Sequence, residues 1–300
     1  MPSPLILFFM IIFLLESTIG ILENSFISIV LGREWVRCCT LPPGDMILAS
    51  LGISRFFLQV SAVLGNFFTY YFPASKKLYF DTFWIFTNMV SFWFTTWLAV
   101  FYCVKISSFT HPIFLWLKWR ISRFIPWLLL WSVLISTFII IICFLKSYLA
   151  VQYLVTGNYS EKTTLDDITG TLQRHFFIPL QMFIMSIPFP FFFASTISLI
   201  FSLCQHLRNM QHYGAGPQDP SVQVHVTTVK SLFLFLILCI SYILPLTITT
   251  IAPVSVFSFW FWVWEVVMYS GISIHPAFLI LNSSKLRRAL RKMLHDHEAA

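Results

Sequence analysis

Glu23, Asn24, Arg55, Ser273 and His275 stand inside stretches otherwise built from Leu, Ile, Val and Phe, and they are the side chains of this chain best equipped for polar chemistry. At a rise of about 1.5 Å per helical residue, each lies roughly 9–14 Å from the Lys/Arg-rich boundary of its own stretch. A lone Arg in hydrocarbon does not persist, whereas an Arg beside Glu, Asn and His at one level can form a satisfied hydrogen-bonded knot. The first, second and seventh apolar stretches are therefore predicted to meet there. Such a knot serves either as a static brace or as a switch that rearranges with the state of the bundle.

A second set is spaced for recognition. Trp84, Asn88, Ser91 and Thr95 recur at steps of four, three and four, which makes one stripe on a helix. On a Phe-rich segment that stripe should face the interior, where a ligand, water or a neighbouring helix can satisfy Asn88. Glu265 falls roughly 9 Å below the opposite boundary, close to the level of Asn88. Together they outline a pocket open to the side away from the Arg55 knot. Pro188, Pro190 and Pro245, with Tyr242 nearby, mark stretches five and six as kinked.

The elements that must hold these residues follow from composition. With 58% hydrophobic and 10% charged residues and a mean hydropathy of +0.80, the 300-residue chain has too little polar surface for a water-soluble globule. A span takes about 20 apolar residues, and windows at 5–31, 46–72, 82–104, 126–149, 176–204, 231–251 and 259–281 qualify. The prediction is an all-α membrane protein: a single seven-helix domain over 1–300, with a short tail at 282–300. The first window carries Glu16 and Glu23 and no basic residues before it, so it reads as a retained anchor and not a cleaved signal peptide.

Alternate loops hold Arg33 and Arg37, then Lys105, Lys118, Arg120 and Arg123, then Arg208 and Lys230, then Lys285 through Lys292. The positive-inside rule places the amino terminus outside and the carboxyl tail inside the cell, at the plasma membrane. The +7 formal charge then gathers on the inner side, where it meets anionic lipid or an acidic protein; nucleic acid is not an expected partner. Cys38, Cys39, Cys103, Cys143, Cys204 and Cys239 fall in spans or on that side, so no extracellular disulfide framework is expected. Cys38 and Cys39, just past the first span, are open to palmitoylation but are expected to be free thiols. Asn158-Tyr159-Ser160 is a glycosylation sequon in the longest outer loop, while Asn282-Ser283-Ser284 matches the pattern on the inner side and reads as a helix end.

Enzymatic signatures are missing: no His-Glu-x-x-His, Gly-x-Ser-x-Gly, Walker A or dinucleotide fingerprint occurs, and His295-Asp296-His297 lies in a tail. Neither catalysis, a metal nor a cofactor is expected. A multispan transporter or channel would also place Arg, Glu and His in a bundle, but would be expected to show internal repeats or paired broken helices. Neither is visible.

Residues 92–120 join an aromatic helix to Lys105 and then to Phe-Leu-Trp-Leu-Lys-Trp-Arg at 114–120, amphipathic and basic like a helix at a membrane surface. With Asn24-Ser25-Phe26-Ile27, Leu48-Ala49 through Ser54-Arg55, His206 with Met210, Asp219-Pro220-Ser221 with His225, and Ser273-Ile274-His275 before Lys285-Leu286-Arg287, this segment resembles the type 2 (bitter) taste receptors, seven-helix G-protein-coupled receptors. Ile272, Pro276 and Asn282-Ser283 depart from that family's seventh-span ending. The resemblance implies a pocket for small bitter agonists lined by Trp84, Asn88 and Glu265, to which the stripe on the third span adds Ser91, and an activation core of Arg55 and His275 with Tyr242 as toggle, to which the shared depth adds Asn24. It also implies a glycan on Asn158 and coupling to a gustducin-type heterotrimeric G protein. The surface expected to meet that G protein comprises Tyr102, Lys105, Leu115 and Lys118.

Overall fold

The computed structural model describes residues 3–72, 77–107, 112–156, 179, 186–212, 220–252 and 254–298, and eight long helices lie among these described residues. They are α1 (Pro4–Cys38), α2 (Pro43–Tyr71), α3 (Lys77–Ile106), α4 (Pro112–Thr156), α5 (Pro188–His212), α6 (Pro220–Ile251), α7 (Phe259–Asn282) and α8 (Ser284–Glu298). The first seven are long and apolar enough to cross a membrane. No strand occurs among the described residues.

Local chemistry sets the ends. Ser3 caps α1 by accepting from the Ile6 amide at 3.3 Å, and Pro4 occupies the first helical position, where its missing N–H costs nothing. Cys39 closes α1 at φ 52°, a left-handed conformation that stops the helix, and Pro42-Pro43 then prevents its resumption. Ser283 serves two helices: its N–H bonds to the Leu279 carbonyl at 3.0 Å, ending α7, and its Oγ accepts from the Leu286 amide at 3.3 Å, starting α8. The Asn282-Ser283-Ser284 tripeptide is thus the helix end expected from sequence.

The helices form a ring in the order α1, α2, α3, α5, α6, α7, closed by α7 against α1; α4 packs outside it on α3 and α2. Apolar side chains such as Leu22, Phe138 and Phe201 point away from the ring, as a lipid-facing surface requires. Lipid is as apolar as leucine, so close packing and interhelical hydrogen bonds must hold the ring together. One packing cluster, around Met10, Phe13, Leu58, Trp262 and Tyr269, lies toward the Tyr71 end of α2. A second, around Ile27, Leu31, Ile47, Leu51, Leu98 and Ile125, lies toward the Asp45 end. At Gly271 the backbones of α6 and α7 nearly touch; a Cβ there would stand 2.6 Å from the Leu238 carbonyl oxygen.

One boundary differs from that read in the sequence. The fourth helix begins at Pro112 and not near 126, so the basic segment 114–120 is its first turns and not a separate surface helix. Pro126 lies inside that helix, where it removes one backbone hydrogen bond without ending the run. The fifth described helix is Pro188–His212, and the expected start near 176 lies outside the described residues.

Candidate functional site

Polar side chains in the ring interior are arranged in tiers. Near the Tyr71 end, Asn66 of α2 donates to Glu265 Oε2 of α7 at 2.6 Å, and Trp84 of α3 donates its indole N–H to the Tyr269 hydroxyl at 2.6 Å. These residues line a cavity of about 310 Å³ that also includes Thr69, Phe80 and Phe261. Its volume reaches the lower end of the range for small-molecule sites, about 300 Å³. Aromatic walls with a carboxylate, an amide and a phenol suit an organic ligand carrying one polar or basic group.

One tier further in, Tyr242 of α6 donates its hydroxyl to Asn88 Oδ1 at 2.5 Å. The Tyr242 ring meets Phe92 edge-on at 5.3 Å and Tyr269 edge-on at 6.3 Å, so it touches both tiers. Below it lies a central cavity of about 40 Å³, lined by Arg55, Asn88, Ser91, Thr95, Cys239 and His275 among others. Arg55 Nη1 donates to His275 Nδ1 at 2.8 Å and Nη2 to Thr95 Oγ1 at 3.4 Å. A guanidinium has no acceptor, so Nδ1 must accept and the His275 ring is neutral with its proton on Nε2.

Sequence spacing suggested one pocket containing Trp84, Asn88, Ser91 and Glu265. The structure divides them: Trp84 and Glu265 line the larger cavity, Asn88 and Ser91 the central one, with Tyr242 and Tyr269 between. The expected five-residue knot is divided as well. Arg55 and His275 pair, whereas Asn24 donates to the Gly20 carbonyl at 2.8 Å and reaches Gln59 Oε1 at 3.5 Å; Gln59 in turn donates to Ser273 Oγ at 2.9 Å. Helices α1, α2 and α7 do meet through this second link. Glu23 stands apart, reaching the Ala277 backbone.

Gln59 and Asn66 escaped the sequence reading although a signal existed. Arg55, Gln59, Ala62 and Asn66 follow steps of four, three and four, the same stripe that singled out Trp84 to Thr95 on α3. At Gly20 a Cβ would collide with the Gln59 amide and the Ser273 hydroxyl, so glycine there admits the Gln59 bridge.

At the Asp45 end, a cavity of about 690 Å³ opens among α3, α5, α6 and α7, lined by Tyr102, Ile106, Leu199, Gln223, Thr227, Phe235, His275 and Asn282 among others. Tyr102 faces it. Lys105 instead donates to the Lys118 carbonyl at 3.1 Å, tying the end of α3 to the start of α4, and Leu115 is exposed on α4. Beside them Lys285 of α8 bridges Glu34 Oε2 of α1 at 2.5 Å and Asp45 Oδ2 of α2 at 2.6 Å. Phe235 and His275, their rings 4.5 Å apart, line both this cavity and the central one. Asn158 lies outside the described residues.

A model of the family described as "Taste receptor protein (TAS2R)" matches residues 1–298. The chain is 45% identical to taste receptor type 2 member 134 of Rattus norvegicus over 288 residues, covering 96% of this chain and 86% of the relative. It is 43% identical to taste receptor type 2 member 41 of Pan paniscus over 302 residues (98% and 97%), and 38% identical to member 41 of Mus musculus over 299 residues (98% and 97%). With seven membrane-crossing helices and a match along nearly its whole length, the chain is a multi-pass membrane protein that belongs to the taste receptor type 2 family.

Proposed function

We propose that this chain is a bitter taste receptor of the G-protein-coupled class, a single domain with its amino terminus outside the cell and its carboxyl tail inside. Small bitter compounds enter the cavity lined by Trp84, Asn66, Glu265 and Tyr269, and a gustducin-type heterotrimeric G protein docks at the cavity beside Tyr102. The observation that carries this reading is the arrangement of two cavities at opposite ends, from each of which a run of contacts leads to the central cavity between them. From the ligand side it runs Trp84 to Tyr269, Tyr269 to Tyr242, and Tyr242 to Asn88 and Phe92. From the other side Phe235 stacks near His275, and His275 holds Arg55.

A ligand shifts the population of states only through a difference in its affinity for them. Contact with Trp84 or Glu265 supplies that difference by disturbing Tyr269 and, through its ring, Tyr242. Outward movement of α6 then alters the wall that Phe235 and Gln223 give to the opposite cavity.

Calcium signalling in cells expressing the chain with a promiscuous G protein, screened against chemically diverse bitter compounds, tests this. Responses are expected, and Trp84→Ala or Glu265→Gln should lower potency toward agonists with aromatic or basic groups. A surface-expressed chain silent to every compound, with ion flux accompanying its expression, would support a transporter or channel instead.

A further inference from the structure

Among the described residues, no acidic side chain balances the charge of Arg55. Its side chain is 5% exposed, in the middle of α2, and its Nε is buried with no protein partner. The two groups it does bind, neutral His275 and the Thr95 hydroxyl, bring no negative charge. Both ion pairs among the described residues belong to Lys285, and no Asp or Glu lines the central cavity. A guanidinium in a low-dielectric interior without a counter-charge carries a desolvation penalty that no attraction offsets.

The cavity beside it has a definite size. Its volume of about 40 Å³ exceeds the roughly 10–15 Å³ that one water-sized occupant needs and falls far short of the roughly 300 Å³ of an organic-ligand site. Ser91 offers it a hydroxyl donor and Cys239 a thiol, while Leu58, Phe92, Leu238 and Ile272 exclude larger polar groups. We propose that this cavity binds a monatomic monovalent anion, chloride being the abundant example, with Arg55 as counter-charge and Ser91 as hydrogen-bond donor.

Such an ion neutralises the guanidinium where it is most costly and ties α2, α3 and α6 together, so it favours the packing described above. This site goes beyond the agonist reading and does not depend on it.

The test uses the purified full-length chain in detergent, its unfolding midpoint followed as sodium chloride replaces sodium gluconate at constant ionic strength. Binding to the folded state alone multiplies the folded-to-unfolded ratio by one plus the ratio of chloride to its Kd, about elevenfold at ten times Kd. The midpoint should therefore rise and saturate. Ser91→Ala, which deletes only a hydroxyl, should shift the chloride curve to several-fold higher concentration. Ser91→Asp, which supplies a tethered carboxylate, should remove the chloride dependence. Identical midpoints in the two salts would overturn the proposal, as would an unaltered chloride curve in the Ser91 variants.

Discussion

Tyr242 of α6 and Asn88 of α3 share one hydrogen bond of 2.5 Å in a place that neither lipid nor bulk water reaches. Because the bond is buried, removing Asn88 takes the acceptor from the Tyr242 hydroxyl, at about 1–3 kcal/mol, while removing both partners costs less than the sum. Tyr242→Phe and Asn88→Leu are expected to lower the midpoint of thermal unfolding singly, and the double variant to show a coupling of about 1 kcal/mol. Strictly additive losses would mean that the two side chains act separately. In signalling assays, Asn88→Ala should weaken the response to agonists without reducing surface expression.

At Gly271 there is no room for even a methyl group, since the obstacle is the Leu238 backbone carbonyl and not a mobile side chain. Gly271→Ala should push α6 from α7 and destabilise the receptor by about 1–3 kcal/mol, an overpacking cost. Surface yield and detergent stability measure it. Gly32, with open space around it, is the control: Gly32→Ala should be harmless or mildly stabilising.

Lys285 makes the docking of α8 electrostatic. Partial burial lowers the pKa of its ammonium, but hydrogen bonds to Asp45 and Glu34 and the attraction of both carboxylates outweigh this, leaving it above the ordinary 10.5. A raised value means the stabilisation is fully present below 10.5 and is lost as pH climbs through the folded-state pKa. The clamp is therefore insensitive to pH near neutrality and sensitive to salt. Lys285→Met should speed hydrogen exchange along α8 at pH 7, and raising salt should move the native chain toward the variant. Exchange in α8 that ignored both would assign its docking to Leu286 and Leu290, which pack on the bundle.

The direction of the chain across the membrane is checked at Asn158. If the positive-inside bias has placed the amino terminus outside, Asn158→Gln should abolish a glycosidase-sensitive shift in gel mobility. A native chain with no such shift would count against the orientation or against use of the sequon.

Much of this architecture was readable in the residues because a membrane leaves few options. Seven apolar stretches had to be helices, since unpaired backbone groups in lipid cost too much, and polar residues within them had to find one another. Periodicity placed Trp84, Asn88, Ser91 and Thr95 on one inward face. What periodicity could not supply was height and partner. Asn88 and Glu265 lie near one level by residue counting, yet Tyr242 and Tyr269 interpose and put them in different cavities. Gln59 looked ordinary beside Arg55, yet it joins α1 to α7 because Gly20 leaves a gap opposite. The start of α4 was misplaced for a different reason: Lys118, Arg120 and Arg123 resembled a boundary, but charge does not stop a helix, and Arg120 rests over the Trp116 ring at 5.1 Å.

Phe235 and His275 are the wall shared by the central and Asp45-end cavities, a single aromatic layer beneath the Arg55 charge. Where water fills the larger cavity, the insulating part of the bilayer is thinned to that layer and what lies beyond it, and the transmembrane voltage falls over a shorter distance. A full elementary charge crossing the whole potential exchanges about 2.3 kcal/mol per 100 mV. Arg55 sits where that gradient is compressed, so displacement of its guanidinium relative to the anion proposed beside it, and not of the neutral pair as a unit, is coupled to the transmembrane voltage.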